Sequence, residues 1–473
     1  MTKFYGWAGG ILNVDLTTGR IEKEELSPDF ARSYLGGSGF NATKLFNMVK
    51  KGMDALSPEN VVMFGTGPLV GTLAPCNSRL AVTGKSPLTD IFGDANMGGH
   101  FSAVMKQAGY DQIVVFGESE KPVYLWIDDD FVELRDASHL WGKSTWEATW
   151  MIRQEMGDPE IRVIGIGQAG ENLVRYANVI GDFKHAAGRC GMGAIMGSKN
   201  LKAVAVRGTK DIMIARPQEF YQACREAFKS MVSRIESGTN LQPMLPRYGT
   251  THLSEVLPLS GSIFTRNFKG NVWLGREDVG PRKFKSEFSH TQRACISCPM
   301  HCTPYYLVRS GEFAGVYGEG PEWGFLQLGV RCDFYDFPTY LYIHNLFNEY
   351  GMDPISGQQL LAWAMDCYEK GILTEEDLDG KPFHWGDSAG VGTHGAVHHA
   401  RRQYADRSGG SGTVFESSTV RDRTSGGNSD GGDVVEDLRA RGGHSDEAGW
   451  PHVRDRGGQP CLMCCTMDLW CGH

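Results

Sequence analysis

The stretch Cys295-Ile-Ser-Cys298-Pro-Met-His-Cys302 places three cysteines within eight residues, in the spacing C-x-x-C-x-x-x-C. Three thiolates this close together can surround one soft metal centre, and iron–sulfur clusters are usually held by four cysteines. Tetrahedral zinc is the competing metal, because His301 or a distant histidine would complete a Cys₃His site. The third interpretation is three ordinary structural cysteines. The spacing therefore predicts a metal centre at Cys295, Cys298 and Cys302, with the iron–sulfur and zinc alternatives both open.

The overall composition excludes several classes of protein. At 473 residues the chain predicts two or three domains of ~150 residues each. A net charge of −9 and a pI near 5.9 argue against a general nucleic-acid surface, which needs a basic excess. No apolar run approaches the ~20 residues of a membrane span, and the first residues show no export signal. We therefore expect a cytoplasmic protein whose twelve cysteines are ligands or buried thiols rather than disulfides.

The order of strand and helix patterns predicts an α+β fold. Residues 10–25 alternate apolar and polar side chains around a Thr-Gly turn, which is typical of a β-hairpin. Further strand patterns cover residues 61–65, 79–83, 112–117 and 123–127, and a glycine-rich loop at 93–100 leads into a helix at 101–108. Helical patterns dominate after Pro217. The predicted domains are a β-rich domain at 1–208 and a mainly helical domain at 209–386.

The composition changes abruptly in the tail, residues 387–473. Lys381 is the last lysine and Ile372 the last isoleucine, yet nine arginines follow from Arg401 onward. Glycine- and serine-rich runs there bury too little apolar surface to offset the entropy of ordering them. We favour a shift of reading frame as the origin of this tail over a natural disordered tail. Its later cysteines, such as Cys461 and Cys464, are interpreted as coincidental, with a zinc site as the alternative.

Glycine-rich stretches suggest where an anionic cofactor binds. Gly165-Ile-Gly167-Gln-Ala-Gly170 matches the dinucleotide pattern, but it comes late in its domain and lacks the acidic residue about 20 positions on, so we favour a structural turn. Residues 74–79 together with 96–99, and residues 185–193, combine basic side chains with glycines whose N–H groups can approach phosphate oxygens. Tight turns with surface arginines are the alternative for both.

Together these stretches resemble the tungsten-dependent aldehyde:ferredoxin oxidoreductase family. The resemblance begins at Gly67-Pro-Leu-Val-Gly-Thr-Leu-Ala-Pro75, passes through Gly193-Ala-Ile-Met-Gly-Ser-Lys199 and the cysteine cluster, and ends near Asp387. It implies tungsten, or molybdenum, held by two pterins beside one [4Fe–4S] cluster. It also implies that aldehydes are oxidised to carboxylates and that ferredoxin, or a similar one-electron acceptor, takes the electrons. A homodimer is a further family expectation.

The resemblance assigns roles to particular residues. Cys295, Cys298 and Cys302 match the family's clustered metal ligands, and Glu322 matches an acidic residue of the catalytic site. Arg79 matches an arginine between cluster and pterin. Nine further positions match the lining of the bis-pterin site or its motif, namely Asn96, Gly98, His185, Ala186, Gly188, Arg189, Asn348, Met352 and Asp353.

The chain departs from the family pattern at several of these positions. Asn348 replaces an aspartate, His185 an arginine, and Gly324 a second glutamate near the metal. The family's last domain, which supplies a fourth cluster cysteine, has no counterpart in the tail. Three hypotheses follow: an active aldehyde oxidoreductase, an inactive truncated or frame-shifted member, and a zinc- or cluster-binding module without catalysis. The catalytic subunit of an aryl-CoA reductase is an alternative substrate class.

Overall fold

We describe a computed structural model of the chain over residues 4–181, 183, 185–236, 244–271, 273, 278–321, 323–378 and 380–387. Glu322 and the tail beyond Asp387 lie outside the described residues. Among the residues described, no helix is both long and apolar enough to cross a membrane.

The first part of the chain folds into two mixed six-stranded sheets. The first sheet has the order β2-β1-β6-β3-β4-β5, in which only the β1–β6 pair is parallel. The second has the order β11-β10-β9-β12-β7-β8, in which only the β12–β7 pair is parallel. The strands are β1 (Gly10–Asp15), β2 (Arg20–Glu25), β3 (Val62–Thr66), β4 (Leu80–Lys85), β5 (Phe92–Met97), β6 (Gln112–Phe116), β7 (Val123–Asp128), β8 (Phe131–Asp136), β9 (Arg162–Gly165), β10 (Val179–Gly181), β11 (His185–Ala187) and β12 (Leu201–Arg207).

Six helices pack between and around these sheets. They are α1 (Pro28–Tyr34), α2 (Ser38–Met48), α3 (Phe101–Gln107), α4 (Thr145–Met156), α5 (Gln168–Glu171) and α6 (Met192–Ser198). Alternating strand residues bury both faces of each sheet. Phe64 of β3 and Val204 of β12 share a central core with α3 and α6, whereas Met63 packs on the opposite face with α2 residue Phe40. Tyr124 and Ala205 pack with α4 on the outer face of the second sheet.

Helices then dominate the chain, with one small sheet among them. The helices are α7 (Pro217–Glu236), α8 (Met244–Tyr248), α9 (Leu253–Val256), α10 (Pro281–Lys283, continued by a π-helical turn at Phe284–Phe288), α11 (Trp323–Cys332), α12 (Phe337–Tyr350) and α13 (Pro354–Glu369), with 3₁₀ turns at Gly249–His252, Leu257–Ser260 and Glu376–Leu378. The antiparallel sheet of β13 (Ser289–Arg293), β14 (Thr303–Leu307) and β15 (Tyr317–Glu319) was not predicted from the sequence.

The α+β class is confirmed, and so are the hairpin of β1 and β2 and the main helices. One local prediction was wrong: residues 93–97 belong to strand β5 rather than to a glycine-rich loop. Each residue from Phe92 to Met97 pairs with a residue of β4, so the neighbouring strand supplies the hydrogen bonds that make this stretch extended. The domain boundaries at 208 and 386 stay predictions.

The Gly165–Gly170 stretch serves close packing. It joins β9 to the short helix α5, and a Cβ at Gly167 would lie 2.5 Å from the Tyr350 carbonyl oxygen at the end of α12. A Cβ at Gly170 would lie 2.9 Å from the Gly193 carbonyl oxygen in α6. Side chains at these positions would force the elements apart, which agrees with the structural interpretation of the motif.

Candidate functional site

The three clustered cysteines lie on the loop between β13 and β14. Two residues of this loop adopt left-handed backbone conformations, Ser297 with φ +54° and His301 with φ +45°. Such conformations turn successive backbone N–H groups toward one point. The N–H groups of Met300 and His301 both donate hydrogen bonds to the Cys298 sulfur. The loop is therefore built to stabilise negative charge on that sulfur.

A second loop, residues 72–77, lies directly against the cysteine loop. The Cys76 Sγ atom is 3.5 Å from the Cys298 Sγ atom, and both residues are half-buried. The Cys76 N–H donates to the Ser297 carbonyl oxygen at 3.0 Å, and the Ser297 hydroxyl donates to the Thr72 carbonyl oxygen at 3.1 Å. The hydrogen bond from the Cys76 thiol lowers the pKa of Cys298 to about 6, helped by the backbone amides and opposed by burial.

Cys295 meets the end of strand β5 on the first sheet. Its sulfur accepts a hydrogen bond from the Gly99 N–H at 3.3 Å. A Cβ placed on Gly98 would lie 2.9 Å from the same sulfur and 3.8 Å from Nδ1 of His185. The structure thus brings Cys295, Gly98 and His185 together, although they are far apart in the sequence. No side chain fits at Gly98 without displacing the sulfur.

Arg79 and Asn96 lie on neighbouring strands beside this contact. Arg79 immediately precedes β4, Asn96 pairs with Ala81 within β5, and both side chains are exposed. The Asn96 amide donates to Asp94 at 3.3 Å, and Asp94 also accepts hydrogen bonds from Ser38 and Thr83, each at 2.6 Å. Asp94 therefore fixes the Asn96 side chain, a role that was not assigned to it from the sequence.

The segment after β11 carries a run of left-handed residues. Arg189 (φ +69°), Cys190 (φ +60°) and Gly191 (φ +76°) follow Ala186 and Gly188, which are both half-buried. Non-glycine residues in this conformation each cost about 1–3 kcal/mol and cluster at ligand sites. The Arg189 N–H donates to the buried Asn178 side chain at 3.1 Å, which holds the turn in place.

Asp353 connects this turn to helix α13. Its buried carboxylate caps α13 by accepting the N–H groups of Ile355 at 3.2 Å and Ser356 at 3.0 Å. One carboxylate oxygen also lies 3.7 Å from Nε of Arg189, whose side chain is 55% exposed. The guanidinium group therefore has a fixed anchor and a free face for an anionic ligand.

The remaining predicted residues divide into two groups. Met352 is buried and pairs through its backbone with Ala177, so it supports the cradle from behind. The Asn348 side chain is directed into the core, where its amide lies 3.3 Å from Nε2 of His344, and not toward the Arg189 turn. Glu322 lies outside the described residues, so its catalytic role stays a prediction.

The donor set fits an iron–sulfur cluster better than a single zinc ion. Across the described ranges, no three His, Cys, Asp or Glu side chains are grouped to hold one metal ion. In addition, Nδ1 of His301 lies 2.8 Å from the Pro299 carbonyl oxygen, and this contact turns the ring toward its own loop. In a [4Fe–4S] cluster each thiolate binds a different iron, so the sulfurs need not converge on one point. Backbone N–H groups directed at cysteine sulfur are the features that tune such clusters.

Family models match most of the chain. The N-terminal domain of aldehyde ferredoxin oxidoreductase matches residues 11–208, and domains 2 and 3 of the same family match residues 226–402. The tungsten-containing aldehyde ferredoxin oxidoreductase of Pyrococcus horikoshii is 39% identical over 389 residues, which are 81% of this chain and 63% of that protein. The Thermococcus kodakarensis protein of the same name is 40% identical, again over 81% of this chain and 62% of its own length.

A solved structure extends the comparison. The active-site complex BamBC of benzoyl coenzyme A reductase, with bound 1,5-dienoyl-CoA, superposes with a TM-score of 0.76 at 33% sequence identity. The match covers 84% of this chain and 61% of the solved chain. This chain therefore spans a little under two thirds of the length of these relatives.

Proposed function

The chain belongs to the aldehyde ferredoxin oxidoreductase family, and on this premise we propose that it oxidises aldehydes to carboxylates at a tungsten or molybdenum bis-pterin centre. The overall change takes one oxygen atom from water and releases two protons and two electrons. When bound, the metal–pterin centre would accept the electron pair and a [4Fe–4S] cluster would pass the electrons on singly to ferredoxin or a similar acceptor. The single observation that supports this proposal most strongly is the contact of Cys295 with Gly98 and His185.

The two arginines have distinct tasks in this proposal. Arg79, at the start of β4, places a permanent positive charge beside the contact between the cysteine loop and the first sheet. Arg189 is held by Asp353 and presents its exposed face to the anionic groups of a pterin. Asn96, Gly98, Ala186 and Gly188 line the space between them.

Proton transfer is assigned to Glu322. Oxidation of an aldehyde hydrate releases protons, and a carboxylate beside the substrate can accept one of them. The family's second glutamate is replaced here by Gly324, so Glu322 is the acid left in the Gly320-Pro-Glu-Trp-Gly324 motif. This assignment makes Glu322→Gln the most informative single substitution for catalysis.

The test is aldehyde-dependent reduction of a viologen dye by the full chain, expressed anaerobically with tungstate and molybdate. We expect activity in the unmodified protein, a loss of about 10²-fold or more in Glu322→Gln, and no loss in Glu312→Gln, which changes an exposed glutamate on a nearby loop. A metal-loaded protein that reduces no dye with any aldehyde would contradict the proposal.

The second candidate function is that of an aryl-CoA reductase catalytic subunit. The match to the benzoyl coenzyme A reductase complex and the loss of the second acid at Gly324 both favour it. Dye oxidation or reduction dependent on benzoyl-CoA or dienoyl-CoA, without any response to aldehydes, would select this function. Cytoplasmic location, homodimer formation and the absence of nucleic-acid binding stay predictions.

A further inference from the structure

The cysteine loop holds three thiols, whereas a [4Fe–4S] cluster is usually bound by four. Among the described residues the cysteines outside this loop are Cys76, Cys190, Cys224, Cys332 and Cys367. Three of these, Cys224, Cys332 and Cys367, are buried within helices. Cys76 differs from them because its sulfur already lies against a sulfur of the cysteine loop.

We propose that the Cys76 thiolate is a ligand of the iron–sulfur cluster, together with Cys295, Cys298 and Cys302. This inference rests on the proposed function, because it assumes that the cysteine loop binds a cluster. It assigns a fourth ligand from the N-terminal sheet region, 222 positions away from Cys298 in the sequence. The chain would then supply a complete set of four thiolates.

Hydrogen bonds hold the Cys76 backbone in place against the cysteine loop. Its N–H donates to the Ser297 carbonyl oxygen at 3.0 Å, and Ser297 in turn donates to the Thr72 carbonyl oxygen at 3.1 Å. The Asn77 amide closes the same turn by donating to the Thr72 carbonyl oxygen at 2.9 Å and to the Ala74 carbonyl oxygen at 2.5 Å. A thiol fixed in this way needs little further ordering when it binds iron.

The Cys76 backbone is itself strained. Its φ of +59° lies in the left-handed region, which costs a non-glycine residue about 1–3 kcal/mol and recurs at ligand sites. An asparagine or glycine would adopt this conformation more readily. A cysteine at this position, facing a second cysteine, is therefore unexplained by the turn alone and is explained by metal binding.

The sulfurs of Cys76 and Cys298 have to move apart when they bind different irons. Rotation about one Cα–Cβ bond between staggered positions moves a cysteine sulfur by about 3 Å. Both side chains are half-buried and neither forms a disulfide, so this rotation breaks no covalent bond. On binding, the S–H bond of Cys76 breaks, its proton passes to solvent, and a sulfur lone pair forms the bond to iron without electron transfer.

The test compares the full chain with Cys76→Ser, Cys76→Ala and the control Cys224→Ser, all expressed and purified anaerobically. Iron and acid-labile sulfide are measured per chain, and electron paramagnetic resonance is recorded on the oxidised proteins. We expect both Cys76 variants to lose at least one iron per cluster. A [3Fe–4S] cluster is paramagnetic when oxidised, whereas a [4Fe–4S] cluster in its usual oxidised state is not, so the variants should gain a signal. Cys224→Ser should match the unmodified protein.

Thermal unfolding of the metal-free proteins separates ligand loss from misfolding. Iron loss in the Cys76 variants, with metal-free melting temperatures like that of the unmodified chain, supports the proposal. Four irons and an unchanged spectrum in both Cys76 variants would overturn it while leaving the cluster itself intact. Absence of iron from the unmodified chain would overturn both this inference and the proposed function.

Discussion

Replacement of Gly98 by alanine tests whether the cysteine loop meets the first sheet as described. The new Cβ would lie 2.9 Å from the Cys295 sulfur, whereas non-bonded heavy atoms normally approach to about 3.5–4.0 Å. The sulfur, or the end of β5, must therefore move by roughly 0.6–1 Å. Metal–ligand distances tolerate only about 0.2 Å. A displacement this large should weaken or break the bond between Cys295 and iron.

The same substitution should disturb the metal-free protein much less. The contacted atom is the end of a rotatable side chain, so the overpacking cost should lie at the lower end of the usual range, about 1 kcal/mol. The matched control is Gly67→Ala, since a Cβ at Gly67 would meet no atom within 4 Å and its backbone is not left-handed.

Iron and sulfide per chain, together with metal-free thermal unfolding, give the readout. We expect Gly98→Ala to lose at least half of its iron while unfolding close to the unmodified protein, and Gly67→Ala to retain its iron. Full iron content in Gly98→Ala would refute the reasoning, because the Cys295 sulfur could not then be a ligand fixed beside Gly98.

Three further substitutions test other parts of the site. Asp353→Ala removes the α13 cap and should cost about 1 kcal/mol in thermal unfolding; Asp336→Ala removes the equivalent cap of α12, so only the first should also lower the bound tungsten or molybdenum. Burial and a neighbouring carboxylate raise the pKa of Glu349, so its contribution to stability is present below pH ~4.5 and is lost as the pH rises through the folded pKa. Glu349→Gln should therefore raise the melting temperature relative to the unmodified protein more at pH ~8 than at pH ~4, and an equal shift at both would contradict this sign. Tyr306→Phe removes the buried hydroxyl that donates to a carbonyl of α12 at 3.0 Å and lies 3.2 Å from Nδ1 of His344, which should cost about 1–3 kcal/mol in denaturant unfolding.

Local patterns in the sequence predicted the elements whose periodicity is set by their own residues. The β1–β2 hairpin follows from strict alternation around a Thr-Gly turn, and α12 and α13 follow from apolar residues at helical spacing. Strand β5 was missed because its glycines and Asp94 favour a loop when taken alone. Pairing with β4, which no local pattern reveals, decides its conformation.

The candidate site was predicted in part, and chiefly through the family resemblance. The approach of Gly98 and His185 to Cys295 agrees with roles that the resemblance assigned to them. The contact between Cys76 and Cys298 was not predicted, because it depends on how two loops from different sheets meet. The Asn348 amide shows the opposite case, since its position in a motif suggested cofactor contact whereas its side chain is occupied by His344.

The measurement that tests the central claim most directly is the metal and sulfide content of the full chain after anaerobic expression with tungstate and molybdate. The account predicts close to one tungsten or molybdenum per chain, with about four irons and a matching amount of acid-labile sulfide. Zinc without tungsten, molybdenum or sulfide would contradict it, and would mean that the clustered cysteines serve a different metal.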